Sequence, residues 1–381
     1  MTAVLSHSSE RQSLVARWPD HVIDPPKWAA WTAFGVTIGV YAFVAWGSTN
    51  PMFALDEAAM LGNSRVVAGV EPDWQLFGSG FMPGLGFLIA PLWWFTQDQY
   101  LVYYLGVWLT ALIAIVTIWP LSRIVRVFGA SNSLSVVIAA VIMCAPARSL
   151  LANYFLSDSL LFLCICGVVL LGWQASREWT LATAIALGVM VGATVLSHGR
   201  GVAVAVAFGI WCLFQVRRVQ WVLPLVSAGV GAVVSLGALA LYLWMSSKVF
   251  VAEGRFEEAA DSLASNSVLD VVNAAAGQLW YATMAWPLLV VVGAMLLAKR
   301  SRTQPVALLI VLATVATFAL SAVSMAGGSS GVNRMDVWVY GRYNDPMWAI
   351  VAALGLAILT RVRWPKVHLF AVAATATIGV A

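Results

Sequence analysis

From residue 28 onward the chain reads as a succession of apolar runs separated by short polar or basic breaks. A helix rising 1.5 Å per residue needs roughly 20 mostly apolar residues to cross about 30 Å of hydrocarbon. The first run covers residues 28–47 and ends on the turn-forming Ser48, Thr49, Asn50 and Pro51. Later runs cover 101–121, 134–147, 159–174, 181–196, 202–216, 222–245, 286–298, 306–323 and 348–359, and a last one begins at 369. That last run ends at Ala381 with no basic loop behind it, which fits a chain cut short there. The pattern predicts an all-α polytopic transmembrane helical bundle of about 11 spans.

Residues 52–99 differ in kind. They carry Asp56, Glu57, Arg65, Glu71 and Asp73, then an aromatic stretch from Phe81 to Phe95 broken by Pro83, Gly84, Gly86 and Pro91. The stretch reads either as a span or as a helix at the interface, where Trp93 and Trp94 suit headgroup depth. The basic residues decide between these. With the stretch at the interface, Arg123/Arg126, Arg177, Arg217/Arg218, Lys299/Arg300/Arg302 and Arg361/Arg363/Lys366 all fall on the side of the N-terminus. With the stretch spanning, all would fall opposite it. The positive-inside rule therefore predicts an outer-face interfacial helix segment between spans 1 and 2.

The organisation that follows is a cytoplasmic tail (1–27) and a transmembrane domain (28–381), with outer loops at 52–99, 247–285 and 324–346. The tail lacks the apolar core of a signal peptide and carries one amphipathic turn around Leu14 to Trp18. In the second outer loop, Glu257, Glu258 and Asp261 stand at helical spacing and predict a surface helix. In the third, Gly327, Gly328, Ser329, Ser330 and Gly331 predict a flexible lid. The expected location is the plasma (inner) membrane, multi-pass, with the N-terminus in the cytoplasm.

Composition sharpens the picture. Hydrophobic residues make up 61% and charged residues 10%. Ordinary globular chains are about a quarter charged, so a water-facing surface could not be built from this sequence. That excludes a soluble enzyme, a disordered regulator and a nucleic-acid-binding domain. The net charge of +4 records orientation and implies no nucleic-acid partner. Cys144, Cys164, Cys166 and Cys212 all lie in apolar runs and make no disulfide or zinc framework. By contrast, Asp56, Glu57, Asp158, Glu253, Glu257, Glu258, Asp336 and Asp345 all fall on the outer side, with Arg200 and Arg342. Acidic residues contribute little to topology, so insertion did not impose this segregation. The outer face is where polar chemistry can happen.

Four constellations stand there, each with a plain structural reading beside the chemical one. Asp56-Glu57 offers a partly desolvated carboxylate that could take a proton or a cation, or else a helix cap with an acidic first turn. Asp158, in Ser157-Asp158-Ser159, is a carboxylate at the mouth of a span or the N-cap of that helix. Ser197-His198-Gly199-Arg200-Gly201 leaves a guanidinium available for bidentate phosphate binding with His198 beside it, or an arginine snorkelling to headgroups. Tyr340-Gly341-Arg342-Tyr343-Asn344-Asp345-Pro346 sets an arginine between tyrosines, suited to an anionic headgroup or to an aromatic belt.

With these residues the chain resembles the GT-C superfamily of integral-membrane glycosyltransferases, in the branch that uses polyprenyl-phosphate sugars. That branch includes aminoarabinose transferases, protein O-mannosyltransferases and actinobacterial cell-envelope enzymes. In the family an Asp-Glu pair opens the first outer loop, matched by Asp56-Glu57. A Pro-rich aromatic interface helix follows, matched from Phe81-Met82-Pro83-Gly84 to Trp93-Trp94, with Pro83-Gly84 where the family has Pro-Pro. A later Asp opens a span, as Asp158 does. A Gly-x-x-x-Thr-Lys-Gly-like segment is echoed by residues 192–201, with Arg200 where relatives often carry Lys, and Arg-Tyr-x-x-Pro is matched by Arg342-Tyr343-Asn344-Asp345-Pro346.

The resemblance implies inverting transfer of a sugar from a polyprenyl-phosphate donor to a glycan, lipid or protein acceptor at the outer face. Asp56 would be the general base. Glu57, Asp158, His198, Arg200, Arg342 and Tyr343 would bind substrate. No cofactor is called for beyond a divalent cation, whose requirement stays open. The alternative is a transporter or flippase of lipid-linked sugars, which would call for ionisable residues at the bilayer midplane and repeated halves. Neither is evident in the runs. A non-catalytic assembly subunit keeping the same fold is a further alternative.

Overall fold

The computed structural model describes residues 24–52, 54–70, 75–76, 81–217, 221–251, 266–327 and 341–360. The turn around Leu14, the surface helix at Glu257, lid residues 328–331, Asp336, the cluster Arg361/Arg363/Lys366 and the run from 369 lie outside these residues.

Among the described residues the chain is all-helical. The helices are α1 (Lys27–Trp46), α2 (Ala54–Val67), α3 (Gly84–Ile89), α4 (Gln99–Val127), α5 (Asn132–Cys144), α6 (Pro146–Ser149) and α7 (Asp158–Arg177). They continue with α8 (Leu181–Ser197), α9 (Gly201–Val216), α10 (Val222–Val249), α11 (Val268–Ala285), α12 (Leu289–Arg300), α13 (Pro305–Gly327) and α14 (Asp345–Leu359). Short 3-10 turns, Ala90–Trp94 and Leu150–Asn153, follow α3 and α6.

Local chemistry sets several of the starts. Asp98 caps α4 by accepting from the backbone N–H groups of Tyr100 and Leu101, and Ser131 caps α5. Thr180 with Thr183, and Ser267 with Asp270, form reciprocal capping boxes at α8 and α11.

Five helices (α1, α4, α7, α10 and α13) are long and apolar enough to cross a membrane, or up to seven spans if each bent pair counts as one. One bent pair is α11–α12, turned by 108°. Its corner holds Pro287, which lacks a donor, and Leu288 at φ 63. The segment 247–285, expected as an outer loop, thus carries in α11 a regular helix. Its apolar positions are interrupted by Asn273, Gly277 and Gln278, which is why it did not stand out as a run.

The stretch from Gly84 to Trp94 forms α3 and a 3-10 turn. Eleven residues rise only about 16 Å, far short of the hydrocarbon thickness. The stretch lies instead on α2. Trp93 Nε1 donates to Ser64 Oγ at 2.7 Å, Asn63 Nδ2 donates to the Phe81 carbonyl at 2.9 Å, and the Arg65 guanidinium covers the Trp93 ring at 5.1 Å.

In the bundle, α14 is central: every residue from Asp345 to Gly355 is buried, as an all-round apolar helix must be. It packs closely on α12, where Gly293 faces the Val351 carbonyl and Gly355 the Leu289 carbonyl. Small residues at both crossings let the two backbones touch. α8 packs along α10, α7 lies between α4 and α8, and α1 and α10 keep most of their surface outward.

Candidate active site

Four chain segments converge at one end of the bundle: the first turn of α2, the start of α7, the α8–α9 turn and the turn entering α14. At the centre is Asp158, the first residue of α7, with a side chain 1% exposed. Arg200 Nη1 donates to its Oδ1 at 3.1 Å. Arg342 donates to its Oδ2 from Nε at 3.2 Å and from Nη2 at 3.0 Å. Asp158 therefore spends its oxygens on two guanidinium groups from distant segments, and Ser157 at the N-cap makes no side-chain cap bond either. The capping explanation for this aspartate is replaced by a cross-fold one. Arg200 is likewise buried and paired, not reaching outward to headgroups.

Arg342 joins the two acidic constellations. Its Nη1 stands 3.5 Å from Asp56 Oδ2, and the Asp56 side chain is 26% exposed against 1% for Asp158. Asp56 is thus the carboxylate within reach of an incoming molecule. It is the third residue of α2, inside the first turn, where the helix dipole favours negative charge.

The remaining predicted residues have defined places. Arg200 Nη1 also donates to the Arg342 carbonyl at 3.3 Å, and its guanidinium lies 3.9 Å above the Tyr343 ring. His198 Nδ1 accepts from the Arg200 backbone N–H at 3.2 Å and so shapes the turn that presents the guanidinium. Glu57 is fully buried. Its Oε2 accepts from the Met52 N–H at 2.8 Å; its Oε1 accepts from the Phe155 N–H at 2.8 Å and from the Tyr103 hydroxyl at 3.1 Å. The structure therefore brings Asp56, Asp158, His198, Arg200, Arg342 and Tyr343 together. It turns Glu57 away, into a joint between α2, α4 and the segment before α7.

That joint makes a prediction. Glu57→Ala strands two buried donors, the Phe155 N–H and the Tyr103 hydroxyl, each worth about 1–3 kcal/mol when unsatisfied, and a part-buried one at Met52. Thermal unfolding of purified protein should show a loss of roughly 2 kcal/mol or more.

Gly84 stands where no larger residue fits. A Cβ there would lie 2.6 Å from the Leu196 carbonyl oxygen and 2.8 Å from Ser197 Cα. The interface helix is pressed against the backbone that leads into His198 and Arg200, and no side chain fits between. Gly84→Ala must push this backbone aside at a cost of about 1–3 kcal/mol. Thermal unfolding of the purified variant should shift down correspondingly.

Sequence reasoning misses Arg148, just past the apolar run 134–147. It is 2% exposed, lies 4.5 Å above the Phe162 ring one turn into α7 from Asp158, and is within electrostatic reach of Asp345. Its Nε and Nη1 make no hydrogen bond among the described residues. Its one signal was an ionisable residue abutting a span. Also missed are Gln278, which accepts from Asn344 at 2.7 Å, and Tyr281, which donates to Asp345 at 3.3 Å. These bonds tie α11 to the turn carrying Arg342. Among the described residues no group of three His, Cys, Asp or Glu side chains converges as a metal site.

Comparison with solved structures finds helical bundles of similar fold. The crystal structure of ArnT from Cupriavidus metallidurans bound to undecaprenyl phosphate superposes with TM-score 0.55 at 15% identity, over 91% of this chain and 63% of that one. The Archaeoglobus fulgidus oligosaccharyltransferase, tethered to an acceptor peptide containing the NVT sequon, matches with TM-score 0.50 at 12% identity, over 93% of this chain and 53% of that one. The chain thus spans less than two thirds of either relative's length, and at these identities the likeness establishes the fold. No protein-family description and no curated protein sequence matches the chain.

Proposed function

We propose that the chain is an inverting glycosyltransferase that moves a sugar from a polyprenyl-phosphate donor to a cell-envelope glycan, lipid or protein acceptor. The observation that carries this is the Asp56–Arg342–Asp158–Arg200 chain of contacts, in which a partly open carboxylate stands beside two guanidinium groups organised by a buried one. The bound undecaprenyl phosphate in the ArnT structure supports the donor class. The topology proposed with it counts α1, α4, α5, α7, α8, α9, α10, α12, α13 and α14 as spans, with an eleventh from residue 369. In it the N-terminus is cytoplasmic, and the site faces the outer side of the plasma membrane.

In this reading Asp56 removes the proton from an acceptor hydroxyl as that oxygen attacks the anomeric carbon from the face opposite the phosphate. The bond from the anomeric carbon to the phosphate oxygen breaks, and the electron pair leaves on the phosphate. Arg342 and Arg200 receive the developing charge, an electrostatic contribution that is largest where water is excluded. Asp158 holds both guanidinium groups in position, His198 fixes the turn bearing Arg200, and Tyr343 stacks beneath it. Glu57, its oxygens engaged by the fold, positions Asp56. A divalent cation, if the reaction uses one, would find Asp56 the most accessible carboxylate here.

Incubation of purified protein with a panel of polyprenyl-phosphate sugars tests the proposal. Release of free polyprenyl phosphate from one member, dependent on acceptor, is expected. Binding of the carriers without release from any of them would leave the chain a non-catalytic subunit.

A further inference from the structure

At the opposite end of α7 from Asp158, a groove of about 1010 Å³ opens between α4, α7 and α8. Its walls are apolar, with Val116 and Leu163 among their residues, and its polar groups gather at one rim, where Arg123, Arg126, Asn132 and Gln174 stand. Both arginines are exposed. Arg123 lies 4.0 Å above the Trp119 ring, and Arg126 donates to Asn132 Oδ1 at 2.8 Å; among the described residues neither makes an ion pair. Nearby, Arg177 stacks 5.2 Å over Trp173, which also lines the groove. Two guanidinium groups are thus fixed at the mouth of an apolar slot, flanked by tryptophans of the kind that sit at headgroup depth.

The depth of the slot identifies its occupant. From Gln174 at the rim to Cys164 at its far end, α7 rises about 15 Å, half the hydrocarbon core and so the depth of one leaflet. A phospholipid acyl chain spans one leaflet and fits this length. We infer that the groove between α4, α7 and α8 is a binding site for one anionic phospholipid of the leaflet at the basic-loop end. Its headgroup lies on Arg123 and Arg126 and its chains lie along Leu163, Leu170 and Leu171. The site is separate from the carboxylate–guanidinium cluster, and its test does not depend on any transferase activity.

The test uses the full-length protein, stripped of lipid in detergent and titrated with phosphatidylglycerol or phosphatidylcholine under native mass spectrometry. One phosphatidylglycerol per chain should be held about thirty-fold more tightly than phosphatidylcholine, the preference expected from two basic residues at an anionic surface. The preference should vanish in R123Q/R126Q and drop about five-fold in either single variant. It should persist in R217Q, which removes an exposed arginine from the same end of the bundle but outside the groove. Equal retention of the two lipids, an unchanged preference in R123Q/R126Q, or an equal loss in R217Q would overturn the site. Displacement of phosphatidylglycerol by added polyprenyl phosphate would also overturn it, by giving the groove to a different lipid.

Discussion

Asp56→Asn should leave a folded protein whose sugar transfer is roughly 10²–10⁴-fold slower, the usual cost of losing a general base. The substitution keeps the shape and hydrogen-bonding oxygen of the side chain while removing its affinity for a proton. Its structural cost is small because the side chain is 26% exposed and its contact to Arg342 Nη1 is long, at 3.5 Å. An ion pair this long, with its carboxylate partly open, contributes about 1 kcal/mol. The diagnostic pattern is therefore a collapsed kcat with nearly unchanged thermal stability and donor binding. Turnover like that of the parent at equal folded protein would remove Asp56 from the role.

Asp158→Ala has the reverse signature. It leaves Arg200 and Arg342 buried and facing one another without the carboxylate that holds them apart. Breaking a buried pair from one side costs about 3–5 kcal/mol, and this carboxylate serves two partners. The unfolding transition in detergent should move down accordingly, and transfer should fall with it because both guanidinium groups proposed to meet the phosphate lose their positions. Asp158→Asn, which keeps oxygen and shape but not charge, should fall between. An unchanged transition in Asp158→Ala would mean that the cluster does not hold the four segments together.

The apolar runs were legible as helices, but among the described residues only five helices, or up to seven spans counting bent pairs, reach the length that crosses a bilayer, against the eleven expected. The sharing of polar residues at one end was legible too, since acidic residues fell to one side without topological need. What the sequence could not show was the division of labour between neighbours. Asp56 and Glu57 are adjacent, yet on a helix they point about 100° apart, so one opens to the site while the other is buried against Tyr103 and Phe155. Which one faces inward depends on how α2 is docked, and that is fixed by Trp93, Ser64 and Asn63 across the interface stretch. Arg148 escaped for a similar reason. Its burial follows from the packing of α7 and α14, elements that come later in the chain and carry no local mark of it.

Inverting cleavage of the glycosidic bond at the Asp56 site is the central step of the proposed function. Purified protein in vesicles, given the carrier sugar it uses and an acceptor, should release one polyprenyl phosphate for each acceptor glycosylated. The anomeric configuration, read by NMR, should be inverted, and the Asp56→Asn protein should show neither product. Passage of the intact donor across the bilayer with no free polyprenyl phosphate formed, or a product of retained configuration, would contradict it.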